Sequence, residues 1–135
     1  MGKLASAGTH LIVDGEVSDS AVFTREKIEA LFAQIISALG MKALDKPHVY
    51  DVPVDPEVLR RVQQTGTFED EGGITAICVI STSHIACHCW PLQKFFSMDV
   101  FSCKDYNADL ALSILRETLG VSKSNVSILQ RRKPN

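Results

Sequence analysis

The sequence predicts an α+β two-layer sandwich, a mainly antiparallel sheet with helices packed on one face. Three observations carry this. Two segments place apolar residues at helical spacing between recognisable caps, β-rich segments surround them, and the order runs strand, helix, strand, strands, helix, strand.

Residues 9–17, THLIVDGEV, begin with a short apolar run and end at a Gly-containing polar turn, which reads as an early strand. In TREKIEALFAQIISALG, Ile28, Leu31, Phe32, Ile35, Ile36 and Leu39 fall on one helical face, with Thr24 as N-cap and Gly40 as the stop. HVYDVPV is a short strand, and DPEVLRRVQQ a short helix with Asp55 before Pro56 at the first helical position. The run ITAICVI is apolar and β-rich without alternation, so it is expected to be central or buried on both faces. HIACHCW and FFSMDVFSC flank the Pro91 turn region and read as an antiparallel hairpin. NADLALSILRETLG supplies a second amphipathic helix between Asn107 and Gly120, and SNVSILQ a last strand.

At 135 residues, 45% hydrophobic and 22% charged, residues 1–135 are expected to form a single domain. A formal charge of −2 gives no reason to expect nucleic acid, and the terminal RRK reads as a solvated end. No apolar run reaches the ~18 residues of a membrane span, and the N-terminus lacks the apolar segment of a signal peptide. The expectation is a cytoplasmic protein without membrane contact. MGKLAS also fits the loose myristoylation pattern at Gly2. In a reducing compartment the four cysteines are thiols, not disulfides.

The stretch ISTSHIACHCW concentrates the chemistry. A turn centred near Gln93 pairs residues whose numbers sum to about 186, which sets Cys103 across from Ser83. Period two sends His84, Ala86, His88 and Trp90 to one face and Ile85, Cys87 and Cys89 to the other. A hydroxyl, a thiol and an imidazole are therefore expected at one end of the hairpin, the minimum for nucleophilic chemistry with a proton carrier. Alternation separates Cys87 and Cys89 from His84 and His88, so no metal site is expected, and Cys78, Cys87 and Cys89 read as small buried hydrophobes. Trp90, Phe95 and Phe96 read first as core or interface, and a strand serine taken alone as an edge hydroxyl.

Taken together, ICVISTSHIACHCWPLQKFFSMDVFSC resembles the central segment of S-adenosylmethionine decarboxylase proenzymes of the small bacterial and archaeal type. The serine, both histidines, Trp90-Pro91, Asp99 and Cys103 fall at the family's spacing without a gap. The resemblance implies self-cleavage between Thr82 and Ser83 into residues 1–82 and 83–135, with Ser83 converted to a pyruvoyl cofactor that holds an amine substrate as a Schiff base. It implies proton transfer by His88 during processing, assisted by Thr75 where the family usually has serine. It makes Cys103 the acid that reprotonates the substrate carbon after carbon dioxide leaves, a step suited to a thiol at neutral pH. It also implies a homodimer with each active site near the interface.

Three departures bear on the substrate. Leu92 stands where the family has a carboxylate for the ribose hydroxyls, and leucine cannot accept those hydrogen bonds. Glu69, with Phe68 beside it, falls where an aromatic residue stacks on adenine, and Thr82 replaces a glutamate before the cleaved bond. An acidic segment of Glu69, Asp70 and Glu71 suits a cationic side chain, so the expected substrate is narrowly a basic amino acid, arginine or ornithine, bound also by Phe68, Trp90 and Leu92. The alternatives are S-adenosylmethionine itself in spermidine synthesis, and a non-catalytic paralogue that regulates an active decarboxylase.

Overall fold

A computed structural model describes residues 6–134. The Gly2 myristoylation reading lies outside them. Six strands, β1 (Ser6–Val17), β2 (His48–Val52), β3 (Gly73–Ile80), β4 (Ser83–Trp90), β5 (Phe95–Ser102) and β6 (Val121–Arg132), form one sheet. Their order is β2-β3-β4-β5-β1-β6, and every neighbouring pair is antiparallel. The predicted α+β class is the fold observed.

Local chemistry sets the three helices. For α1 (Arg25–Ala38), the Thr24 side chain accepts from the Lys27 N–H. Asp55 caps α2 (Pro56–Thr65) in the same way through Glu57, and Asn107 caps α3 (Ala108–Leu119) through Leu110. Gly66 and Gly120 close α2 and α3 in the left-handed conformation that glycine adopts without a Cβ clash.

α1 and α3 pack side by side over one face of the sheet. Ile28, Leu31, Phe32 and Ile35 from α1 and Ala111, Leu115 and Leu119 from α3 meet Leu11, Val13, Ala76, Cys78, Ile85, Cys87, Phe96 and Val100 from the strands. Cutting Phe32 back to alanine in this packing would cost about 3–5 kcal/mol. α2 buries only Val58, so two helices, not three, build the second layer.

Among the described residues, no layer covers the opposite face of the sheet. Of the two expectations for ITAICVI, the central position holds, with β3 between β2 and β4, and burial on both faces does not: Ile74, Ala76, Cys78 and Ile80 are buried, while Ile77 and Val79 point outward and are 37% and 39% exposed. The run is apolar on both faces, but helices cover only one. The hairpin register also shifts. Pro91, Leu92, Gln93 and Lys94 form a four-residue turn, Trp90 pairs with Phe95, and Ser83 pairs with Ser102. Cys103 therefore lies one residue beyond the predicted position, just past the end of β5.

Candidate active site

β3 and β4 meet at the turn Ser81-Thr82, closed by the pair Ile80 and Ser83. Ser83 Oγ lies against the carbonyl oxygen of Thr82, the residue before it. The Cys103 N–H donates to that same carbonyl at 2.9 Å. Buried Ser102 donates from its hydroxyl to Thr82 Oγ1 at 2.9 Å and accepts from the Lys104 N–H at 3.2 Å. The end of β5 thus grips Thr82 by both main chain and side chain. A hydroxyl beside a carbonyl whose oxygen already receives a fixed N–H is the arrangement that favours attack, because the donor is in place for the charge that develops. The sequence indicated Ser83 and Cys103 here, but neither Ser102 nor the role of the Cys103 main chain.

His88, the imidazole that the resemblance assigns to processing, is elsewhere. Thr75 and His88 are directly paired across β3 and β4, and Thr75 Oγ1 lies 3.1 Å from His88 Nδ1. His88 is five residues along β4 from Ser83, about 16 Å at roughly 3.3 Å per residue. The thiol and the hydroxyl share one end of the hairpin; His88 sits towards the other. An imidazole does stand at the Ser83 end, that of His84, but His88 does not join it, and the reason is strand geometry: an extended segment cannot fold two of its own residues five apart onto one point.

Around His88 the outer face is aromatic. His88 stacks on Trp90, Trp90 on Phe95, and Phe68 meets Trp90 edge-on with ring centroids 5.1 Å apart. Trp90 Nε1–H donates to Asp70 Oδ1 at 2.9 Å. The Gly72 N–H and then Trp90, both donating to Asp70, hold its carboxyl below the usual carboxylate range.

The acidic segment is committed to the protein itself. Glu69 pairs with Arg61 at 3.0 Å. Glu71 is 1% exposed and its two oxygens accept from the Leu92 N–H at 2.8 Å and the Gln93 N–H at 3.0 Å. Each of the three carboxylates has a protein partner. Leu92 is half-exposed, with an apolar side chain at the turn.

One group escaped the sequence reading. His10 Nε2 and His84 Nε2 both approach Asp99 Oδ2, at 2.7 and 3.0 Å. Phe101 is the cross-strand partner of both histidines, and Asp99, two residues before it on β5, is diagonal to both. All three were assignable to outward positions by period two, but nothing in the sequence indicated that β1 lies beside β5.

Comparison with known proteins accords with this geometry. The sequence profile described as S-adenosylmethionine decarboxylase matches residues 9–132. An S-adenosylmethionine decarboxylase proenzyme of Prochlorococcus marinus is 32% identical over 71 residues, covering 52% of this chain and 56% of the relative. A proenzyme of the same description from Saccharolobus islandicus is 35% identical over 60 residues, 44% of this chain and 49% of that one. The chain therefore spans about half the length of the curated relatives it matches. In three dimensions the crystal structure of the adenosylmethionine decarboxylase from Aquifex aeolicus superposes with a TM-score of 0.71 at 19% identity, over 99% of this chain and 96% of that one, a likeness of fold. With the profile matched along nearly its whole length, the chain belongs to the S-adenosylmethionine decarboxylase family.

Proposed function

We propose that this chain is a self-processing, pyruvoyl-dependent decarboxylase, cleaved between Thr82 and Ser83 into residues 1–82 and 83–135. The observation that carries the reading is the Thr82 carbonyl, polarised by the Cys103 N–H at 2.9 Å with the Ser83 hydroxyl against it. Attack by Ser83 Oγ on the carbonyl carbon puts negative charge on the oxygen that Cys103 N–H already faces. Breaking the Thr82–Ser83 C–N bond then leaves an ester and frees the Ser83 amine. Elimination and hydrolysis release Thr82 as a carboxylate and the amine as ammonia, leaving a pyruvoyl group at residue 83. The residues present fit that group, since its only precursor, a serine at a tight turn with an activated carbonyl before it, is in position. A pyruvoyl carbonyl takes up a substrate amine and the electrons left when carbon dioxide departs. The Cys103 thiol is exposed at the same turn, which supports its assignment as the acid that protonates the substrate carbon.

His88 and Thr75 lie too far along the strand to serve Ser83 of their own chain. Outward Ile77, Val79, Phe101 and Trp90 give the open face enough apolar surface to be covered, and a second copy laid face to face would bring its Thr75–His88 pair to this turn. The homodimer is therefore part of the proposal, with the proton carrier contributed in trans.

For the substrate, the internal pairing of Glu69, Asp70 and Glu71 and the half-exposed Phe68 beside Trp90 favour S-adenosylmethionine, whose adenine needs an aromatic surface. A basic amino acid is the second reading, favoured by Leu92, which offers no acceptor to a ribose. Denaturing mass spectrometry tests the processing: two fragments, the downstream one carrying a pyruvoyl end, are expected from the wild type, and one intact chain from Ser83→Ala. A wild-type chain that stays intact sinks the pyruvoyl reading and leaves the regulatory paralogue. Carbon dioxide release from S-adenosylmethionine, arginine and ornithine assayed in parallel decides the substrate, and turnover of arginine or ornithine alone would overturn the first choice.

A further inference from the structure

We propose that His10, His84 and Asp99 form a binding site for a divalent transition-metal ion, coordinated by two imidazole nitrogens and one carboxylate. Each ligand comes from a different strand of the rigid sheet: His10 from β1, His84 from β4 and Asp99 from β5. Their ligating atoms all lie within 4.8 Å of one another, and both Nε2 atoms converge on the same Oδ2, at 2.7 and 3.0 Å. Around a six-coordinate ion with ligands at about 2.1 Å, adjacent donor atoms stand about 3.0 Å apart. The two nitrogens already hold nearly that spacing from the carboxylate oxygen, and the paired strands β1, β5 and β4 fix the backbone positions from which the three side chains reach one another.

One cation stands nearby, the Arg131 guanidinium, 4.5 Å from the Phe101 ring centroid. Among the described residues, no lysine or arginine pairs with Asp99; its partners are the two imidazoles alone. The ring of Phe101 stands 5.3 Å from the His10 ring and 5.9 Å from that of His84, a flat apolar wall that restricts how the imidazoles can turn. Against His10 and Asp99, on the sheet face proposed to be covered by a second copy, lies a shallow cavity of about 240 Å³ that also reaches Asp14, His88 and Ser97, with room for water at the remaining positions. Two imidazoles with one carboxylate suit zinc, cobalt, nickel, copper or iron and not the hard cations calcium and magnesium. A bound ion would fasten the start of β4 to β1 and β5, one residue from Ser83. The site uses neither Ser83 nor Cys103 and does not depend on processing.

Cobalt(II) is the probe, because its spectrum separates imidazole and carboxylate ligands from thiolate. The full-length protein, treated with chelator and then freed of it, should bind a single Co²⁺ per chain with weak visible bands and no thiolate charge-transfer band. His84→Ala, His10→Ala and Asp99→Asn should each weaken binding by at least roughly tenfold. His48→Ala, which removes a surface histidine paired only with Asp45, should leave it unchanged. Should the site variants fold poorly, Co²⁺ added to the wild type should broaden the His10 and His84 ring resonances before that of His48. Absence of binding, a thiolate band, or affinity indifferent to all three substitutions would overturn the site and reduce the trio to a hydrogen-bonded cluster.

Discussion

Burial separates the four thiols, and the separation is what makes Cys103 available for chemistry. Cys78, Cys87 and Cys89 point into the core, whereas Cys103 is exposed past the end of β5. A hydrogen bond with Cys89 and then burial push the Cys87 thiol well above the usual range, and burial raises Cys78 as well. Native alkylation with iodoacetamide at mildly alkaline pH should give one adduct, on Cys103, by peptide mass spectrometry. Comparable labelling of Cys87 or Cys89 would contradict the assigned faces of β4. Tyr106 carries the second argument at this scale. Its hydroxyl donates to the Val100 carbonyl and accepts from the Leu11 N–H, tying β5 to β1, and burial pushes its pKa up to about 12. A raised pKa means that the folded state holds the proton more tightly, so Tyr106 stabilises fully below the unfolded value near 10 and loses that contribution as pH climbs towards about 12. Tyr106→Phe should cost about 1–2 kcal/mol at neutral pH and flatten the alkaline loss of stability in urea titrations.

Among the elements, the β4–β5 turn depends on a residue far from it in sequence. Buried Glu71 holds the N–H groups of Leu92 and Gln93, a capping of the turn from 21 and 22 residues away. Glu71→Ala leaves two main-chain donors without their acceptor and should destabilise the protein by about 2–4 kcal/mol in urea unfolding. Glu71→Gln should recover less than half of that, because its amide nitrogen would face a donor. A loss below about 0.5 kcal/mol for the alanine variant would mean that water takes over both bonds. This contact also marks where the sequence stopped being legible. Caps were readable because Thr24, Asp55 and Asn107 act on amides two or three residues away. The hairpin register came within one position, and the error lay in a turn of four residues whose length is not fixed by Pro91. Glu71 read as solvated or substrate-facing because nothing local distinguishes a carboxylate that bonds across the fold from one that meets water. The same holds for His10, which reaches Asp99 only because β1 inserts between β5 and β6. For β6, which runs from Val121 to Arg132 beyond the predicted 124–130, the extra length comes from pairing along all of β1.

At the scale of the whole molecule, the division of the candidate machinery between the two ends of the hairpin makes the assembly testable in a way that a single-chain site would not. Ser83, Thr82, Ser102 and Cys103 form one half-site, and Thr75 with His88 forms the other. In the proposed dimer a two-fold axis lying between the two open faces and perpendicular to β4 would reverse the second copy's strands, so that the start of β4 in one subunit meets the far part of β4 in the other. Each processing site of the proposed dimer would then take its nucleophile from one chain and His88 of the partner subunit. Neither Ser83→Ala nor His88→Ala should be cleaved as a homodimer. Coexpressed with different tags, the two variants should form a mixed dimer holding one intact site, Ser83 of the His88→Ala chain facing His88 of the Ser83→Ala chain. Mass spectrometry of the doubly purified mixture should find the His88→Ala chain cut and the Ser83→Ala chain whole. Ile77→Glu in both chains places a charge in the proposed interface, and should yield monomers by sedimentation and abolish this rescue. A mixed dimer that forms but leaves both chains whole would place the proton carrier within one chain, and the strand between Ser83 and His88 would then have to bend.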